Sequence, residues 1–266
     1  MKRPIVVITI GVMLTGITSF AQAHVLWLNA NKYAPQAGET IWLEIGFGHK
    51  YPRDELMKKG RLERVYAVSP DGRETDIEQI FPAFYKFTPK AQGTYMIVAV
   101  LKSGFVSKTT DGRKLGNKKN LNDVVSCFAF RMTALAAVTV GEKNDFPSPK
   151  TDKILEIRAL KDPADLQTGD MLPLRISFQG KPLAGTTLKA FCRDCATDKK
   201  HSWAQESESN SEGIVRIKLT SGGPWMFTTT HEVPYPHKDE CDNYLYRTSL
   251  TIGFYQKEKY TEKQSE

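Results

Sequence analysis

Histidine is scarce in this chain: five occur in 266 residues, at positions 24, 49, 201, 231 and 237. Any site built from imidazoles therefore has few ways to be assembled, and each residue can be weighed singly. Several signatures are missing altogether. There is no Gly-x-Ser-x-Gly elbow, no His-Glu-x-x-His helix, no glycine-rich phosphate loop and no EF-hand loop, which removes the serine-hydrolase, zincin, nucleotide and calcium-loop readings. The stretch "HEVPYPH" begins with His-Glu, yet its second histidine is misplaced and its two prolines forbid the helix a zincin needs. The seven methionines do not cluster, which counts against a thioether copper(I) carrier. After residue 23 no run is long and apolar enough to cross a bilayer. Basic residues alternate with acids, as in "YPRDELMKKGRLER", so the composition carries no nucleic-acid footprint.

What is present starts at the N-terminus. Lys2 and Arg3, the apolar "PIVVITIGVMLTGI" and the small-x-small Ala21-Gln22-Ala23 spell a secretory signal over residues 1–23. The expected cut follows Ala23 and leaves His24 as the first residue; a cut after Ala21 is the alternative. The formal charge of +7 then falls to +5, because the signal holds Lys2 and Arg3 and no acid. Export implies a periplasmic location and permits disulfides. The cysteines, Cys127, Cys192, Cys195 and Cys241, are an even set with three possible pairings. No second Cys-x-x-Cys completes a zinc site and no βαβ pattern surrounds the first, so two bridges are expected. The local pair Cys192–Cys195 leaves Cys127–Cys241 by exclusion; because Arg193-Asp194 is a short spacer, Cys192–Cys241 stays open as an alternative.

The apolar pattern has period two almost throughout. In "TIWLEIGFG", Ile41, Leu43, Ile45 and Phe47 alternate with Trp42, Glu44 and Gly46, as in a strand with one buried face. "RVYAVSPDGRET" is a strand entering a Pro-Asp-Gly turn, and "GTYMIVAVLKSG" is a nearly continuous apolar strand. Short helices are expected in "RDELMKKG" and in part of "NLNDVVSCFAFRMTALAA". The polar, proline-bearing segment 141–153 predicts a linker between an N-terminal β-sandwich domain, 24–140, and a C-terminal one, 154–256, with a polar tail at 257–266. The second half orders its turns and strands as an immunoglobulin-like or transthyretin-like module does. The expectation is an all-β chain of two sandwiches.

His24 is the sharpest candidate. As a mature N-terminal residue it offers an α-amine and a ring nitrogen to one ion, and a second imidazole completes a three-nitrogen set suited to copper(II) or nickel(II). His49 sits in "GFGHKYP" at a strand end, where glycines flanking Phe47 let other groups approach the backbone closely. His231 shares a strand face with Trp225, Phe227 and Thr229, so it reads equally as a satisfied interior histidine. His237 is a loop residue with a weaker claim, and His201 in "DKKHSW" reads as solvated.

The order "AHVLWLNANKYAPQAGETIWLEIGFGHKYP", then "LKDPADLQTGDMLPLRISFQGKPLAG" and "GGPWMFTTTHE", resembles an exported family, domain of unknown function 4198, which includes NikM-like periplasmic components of nickel or cobalt uptake. The resemblance spans nearly all of the chain after residue 23. Its most specific parts are the Ala-His-x-x-Trp start, the Gly-His-x-x-Pro segment and the strand from Trp225 to His231. It implies two β domains and a transition-metal association, and carried over position by position it points to His24, His49 and His231. Without a membrane region after the signal, translocation would need a separate transporter component.

The reading is a periplasmic protein that binds nickel, cobalt or copper for uptake or delivery and is not an enzyme. Its ligands would be His24, His49 and His231, with His237 as a further candidate. Two rivals stand beside it. One is a copper histidine-brace oxidase of polysaccharide, for which Trp27 and Trp42 could supply aromatics although both read as core; the other is a purely structural sandwich.

Overall fold

In the computed structural model, residues 24–141, 150–151, 153–195 and 203–254 are described. The expected signal and cleavage site, most of the expected linker, His201 and the expected polar tail lie outside them. The first half contains β1 (Val25–Ala30), β2 (Ile41–Gly48), β3 (Glu55–Leu56), β4 (Leu62–Val68), β5 (Glu74–Asp76) and β6 (Glu78–Phe81). It continues with β7 (Phe84–Phe87), β8 (Gly93–Leu101), β9 (Gly104–Thr109), β10 (Gly112–Leu115) and the long β11 (Val124–Val140). The second half contains β12 (Leu155–Ala159), β13 (Met171–Phe178), β14 (Lys181–Pro182) and β15 (Thr187–Cys192). After these come β16 (Gln205–Glu208), β17 (Ile214–Lys218), β18 (Gly223–Pro234) and β19 (Asn243–Phe254).

The chain is all-β, as its period-two pattern requires. Neither expected helix forms: "RDELMKKG" holds the short β3, and the other segment feeds β11. Val124, Val125 and Thr133 are β-branched and disfavour helix, and β11 finds strand partners along its whole length, β9 and β8 on one side and β19 on the other. Among the described residues the helical content is one 3-10 turn, Pro163–Asp165, capped by the Asp162 carboxylate, which accepts from the Ala164 amide.

The two halves share a ten-stranded sheet that runs β16-β15-β18-β19-β11-β8-β4-β5, with β9 and β10 attached beside β11. Its seam is the parallel pair β11–β19, in register from Phe128↔Asn243 to Ala137↔Ile252. A smaller sheet covers each face. On one face lies the sheet β1-β2-β7-β6, with β3 on β2, and on the other β12-β13-β14 with β17. The two expected sandwiches thus share their larger sheet. Strand parity divides the core accordingly: Val65, Ala67, Ile97 and Ala99 pack beneath β1 and β2, while Tyr66, Val68, Met96 and Val98 pack beneath β12 and β13. Because β8 is covered on both faces, its sequence is apolar without alternation.

Two disulfides form, with the expected pairing. Cys127–Cys241, with Cα atoms 5.0 Å apart, joins the start of β11 to the loop before β19. Cys192–Cys195 closes a four-residue turn after β15. No helix among the described residues is long and apolar enough to cross a membrane.

Candidate metal site

The site begins as a hairpin register. Strands β1 and β2 pair antiparallel with Leu28 opposite Ile45, Leu26 opposite Phe47 and Val25 opposite Gly48. One further step along the same register sets His24 opposite His49. Both lie on the hairpin face that carries the buried Leu26, Leu28 and Ile45, so the two histidines end an apolar row. Their ring centroids are 4.3 Å apart, and the His24 ring stacks on Phe47 at 4.8 Å with an interplanar angle of 5°.

The loop that presents His49 is held from several sides. The Asp54 carboxylate accepts from the backbone amides of His49 at 2.6 Å and Lys50 at 3.2 Å, and the His49 amide is the main cause that keeps this carboxyl below its ordinary pKa. Gly48 has φ +148° and a Cβ there would lie 2.3 Å from Asp54 Oδ2, so only glycine fits. The Trp27 indole lies over Gly46, where a Cβ would fall 2.2 Å from Nε1. Trp27 Nε1 and Asn29 Nδ2 then each donate to the Pro52 carbonyl at 3.1 Å, which ties the loop back to β1. The close approach expected from the glycines around Phe47 is thus realised by Trp27 and Asp54.

The chemistry of the pair suits a metal. Among the described residues, Nδ1 of His49 is buried without a hydrogen-bond partner. A buried nitrogen in that state costs about 1–3 kcal/mol, a cost that coordination would remove. Burial, and secondarily the neighbouring His49, hold the His24 imidazole below its ordinary pKa, against the opposing pull of Glu55 and Asp54. This direction favours the neutral imidazole, the form that ligates. The two imidazoles fit a transition ion with nitrogen ligands.

The family model for the domain of unknown function DUF4198 matches residues 21–233. This chain belongs to the DUF4198 family. The match spans the hairpin that carries His24 and His49, and it extends through β18 into the second half. No curated protein matches the DUF4198 chain. Among solved structures, it is similar to the D0-D1 domain of intimin at 11% identity, covering 88% of this chain and 100% of that one, with a TM-score of 0.24. It is also similar to a two-domain fibronectin type-III segment from chicken tenascin, at 13% identity over 83% of this chain and 95% of that one, TM-score 0.23. Fibronectin(III)-like modules of Clostridium thermocellum CbhA give 12% identity, 85% and 93% coverage, and a TM-score of 0.22.

The third expected ligand of this DUF4198 chain is placed elsewhere. Trp225 and Phe227 of β18 face the β12–β13 sheet, and period two carries His231 to the same face. Its ring packs on Phe178 at 4.5 Å, and burial alone lowers its pKa. Met226, on the opposite parity, packs with Trp27 on the face that carries β1. The great sheet therefore stands between His231 and the His24–His49 pair. His237 is exposed in the loop before β19, where its carbonyl accepts from the amides of Glu240 and Cys241. Among the described residues no group of three His, Cys, Asp or Glu side chains could hold a metal ion. Of the two tryptophans read as core, Trp27 is 1% exposed but Trp42 is 48% exposed. Trp42 lies opposite in parity to Ile41, Leu43 and Ile45, which take the buried face of β2.

Sequence reasoning missed Arg247. Its Nη1 donates to the His24 carbonyl at 2.6 Å and its Nε to Thr230 Oγ1 at 2.9 Å. Burial pulls its pKa down to about 10, with Glu232 acting in the opposite sense. The only sequence signal was a charged residue inside the otherwise apolar and hydroxyl-rich "YLYRTSLTIGF".

Proposed function

We propose that this chain is an exported metal-binding protein that takes up nickel, cobalt or copper through the imidazoles of His24 and His49 and the α-amine that signal cleavage exposes on His24. The observation that carries the reading is the pairing of the two rings at 4.3 Å, with a buried His49 nitrogen that has no hydrogen-bond partner among the described residues. His231 has no part in this set. The two disulfides suit an oxidising compartment such as the periplasm.

Function here is coordination, with no bond made or broken in a substrate. The hairpin fixes His49, and His24 would supply two donors on one residue, so these two residues would hold the ion at the open end of β1 and β2 and supply its nitrogen ligands. A free α-amine has a pKa near 7.7–8.0 and must lose its proton to ligate, so affinity falls as pH drops below neutrality. Ligands of this type suit nickel and copper alike, and in a given site copper(II) binds more tightly than nickel(II). Delivery would run through a separate membrane transporter component.

The test is elemental analysis of protein from its native compartment together with N-terminal sequencing. The expected result is a first residue His24 and close to one equivalent of transition metal per chain. A different first residue removes the amine, and absence of metal with no uptake on titration removes the function. Peroxide production by copper-loaded protein with a reductant would instead favour the oxidase.

A further inference from the structure

We propose that Arg247 is the positioning residue of the metal site, setting the backbone of His24 from the opposite half of the chain. This rests on the reading of His24 and His49 as ligands. Among the described residues, strand β1 has only β2 as a neighbour in its own sheet, so its other edge has no strand partner there. Side chains of β19 take the place of a second neighbour. Ser249 Oγ donates to the Leu26 carbonyl at 2.6 Å, and two residues earlier Arg247 Nη1 donates to the His24 carbonyl at 2.6 Å. The spacing of two on β19 matches the spacing of two on β1, so the two contacts form a short side-chain ladder along the edge.

Arg247 is itself fixed. Its Nε is held by Thr230 Oγ1 on the adjacent β18, opposite it in the strand register. The planar guanidinium thus spans from β18 to the first residue of the mature chain, with two nitrogens in a set geometry that an ammonium lacks. An N-terminal residue normally frays. Here its carbonyl is clamped, which orients the Cα and holds the ring against Phe47 and opposite His49. Because β19 belongs to the second half, the clamp makes the ligand geometry depend on two side chains of that half, Arg247 and Thr230.

The experiment uses the mature chain beginning at His24, as wild type, Arg247→Met, Arg247→Lys and Thr230→Val. Two readouts are taken: ring-to-ring NOEs between His24 and His49 without metal, and the dissociation constant for nickel(II) by competition titration. Loss of an outer partner of a ligand typically weakens metal affinity 10–100-fold. Arg247→Met is expected to lose the NOEs and weaken nickel(II) binding about 10–100-fold, with Arg247→Lys and Thr230→Val in between. Folded Arg247→Met that keeps the NOEs or the wild-type constant overturns the proposal. If Arg247→Met does not fold, wild-type NOEs and affinity in both milder variants overturn it equally. The NOEs need no metal, so they test the clamp even if the wild type binds no nickel, an outcome that would sink the metal reading alone.

Discussion

His24 and His231 are both half-buried histidines whose pKa values burial lowers, yet they occupy opposite faces of one sheet and have opposite prospects. His24 meets a second imidazole at 4.3 Å, while His231 meets the Phe178 ring at 4.5 Å. The difference is one of strand parity and register. In β18, a residue one place earlier or later than His231 would face β1; Thr230 does so and holds Arg247. A histidine therefore becomes a candidate ligand through what its register sets opposite it, and its own burial does not distinguish the two cases.

The largest expected effect comes from a change that should leave this contrast untouched. Removing Cys127–Cys241, which closes a sequence separation of 114 residues, should cost about 2–5 kcal/mol in denaturant unfolding. The seam at the start of β11 and β19 would weaken while the His24–His49 register persists. A metal response that disappears in a folded double Cys→Ser variant would show that the site depends on the whole seam.

Next in size is the chain start. One extra residue before His24 converts its amine to an amide and moves the free amine out of the chelate with the His24 ring. Affinity for nickel(II) should fall at least about tenfold, roughly 1.4 kcal/mol, read by competition titration. An unchanged constant would reduce the site to two rings.

The smallest effect is at the corner that locks the halves, away from either histidine. Partial burial pushes the Asp242 carboxyl up, but the bonds from Lys118 Nζ and the Cys127 amide outweigh it and leave its pKa below the ordinary value. A depressed carboxylate contributes stability that is present above its unfolded pKa, near 3.9, and is lost as pH falls through the folded value. Stability should therefore decline below about pH 4, and Asp242→Asn should flatten that decline and lower stability slightly at neutrality. Equal acid slopes in the two proteins would remove Asp242 from the account.

Much of this was legible in the sequence. Period two gave the strands, and the turn residues gave most of their ends. Local spacing and exclusion gave the disulfides. Parity in "WMFTTTH" already placed His231 with Trp225 and Phe227, so its interior reading was available. The shared sheet was not legible, because a parallel pairing between β11 and β19, more than a hundred residues apart, leaves no local mark. The exposure of Trp42 was implicit in its alternation with Ile41 and Leu43, although its aromatic character suggested core. Arg247 was hidden because its partner is a backbone carbonyl in the other half, and carbonyls have no sequence identity.

The central claim is that His24 and His49 form the ion site and His231 does not. It is tested most directly by the nickel-induced stabilisation of three mature proteins: wild type, His49→Ala and His231→Ala. At about 100 times the dissociation constant, a bound ion adds roughly 2.7 kcal/mol, seen as a raised melting temperature. The predicted result is a full shift in wild type and in His231→Ala, and little or none in His49→Ala. A shift that survives in His49→Ala and vanishes in His231→Ala would contradict the account.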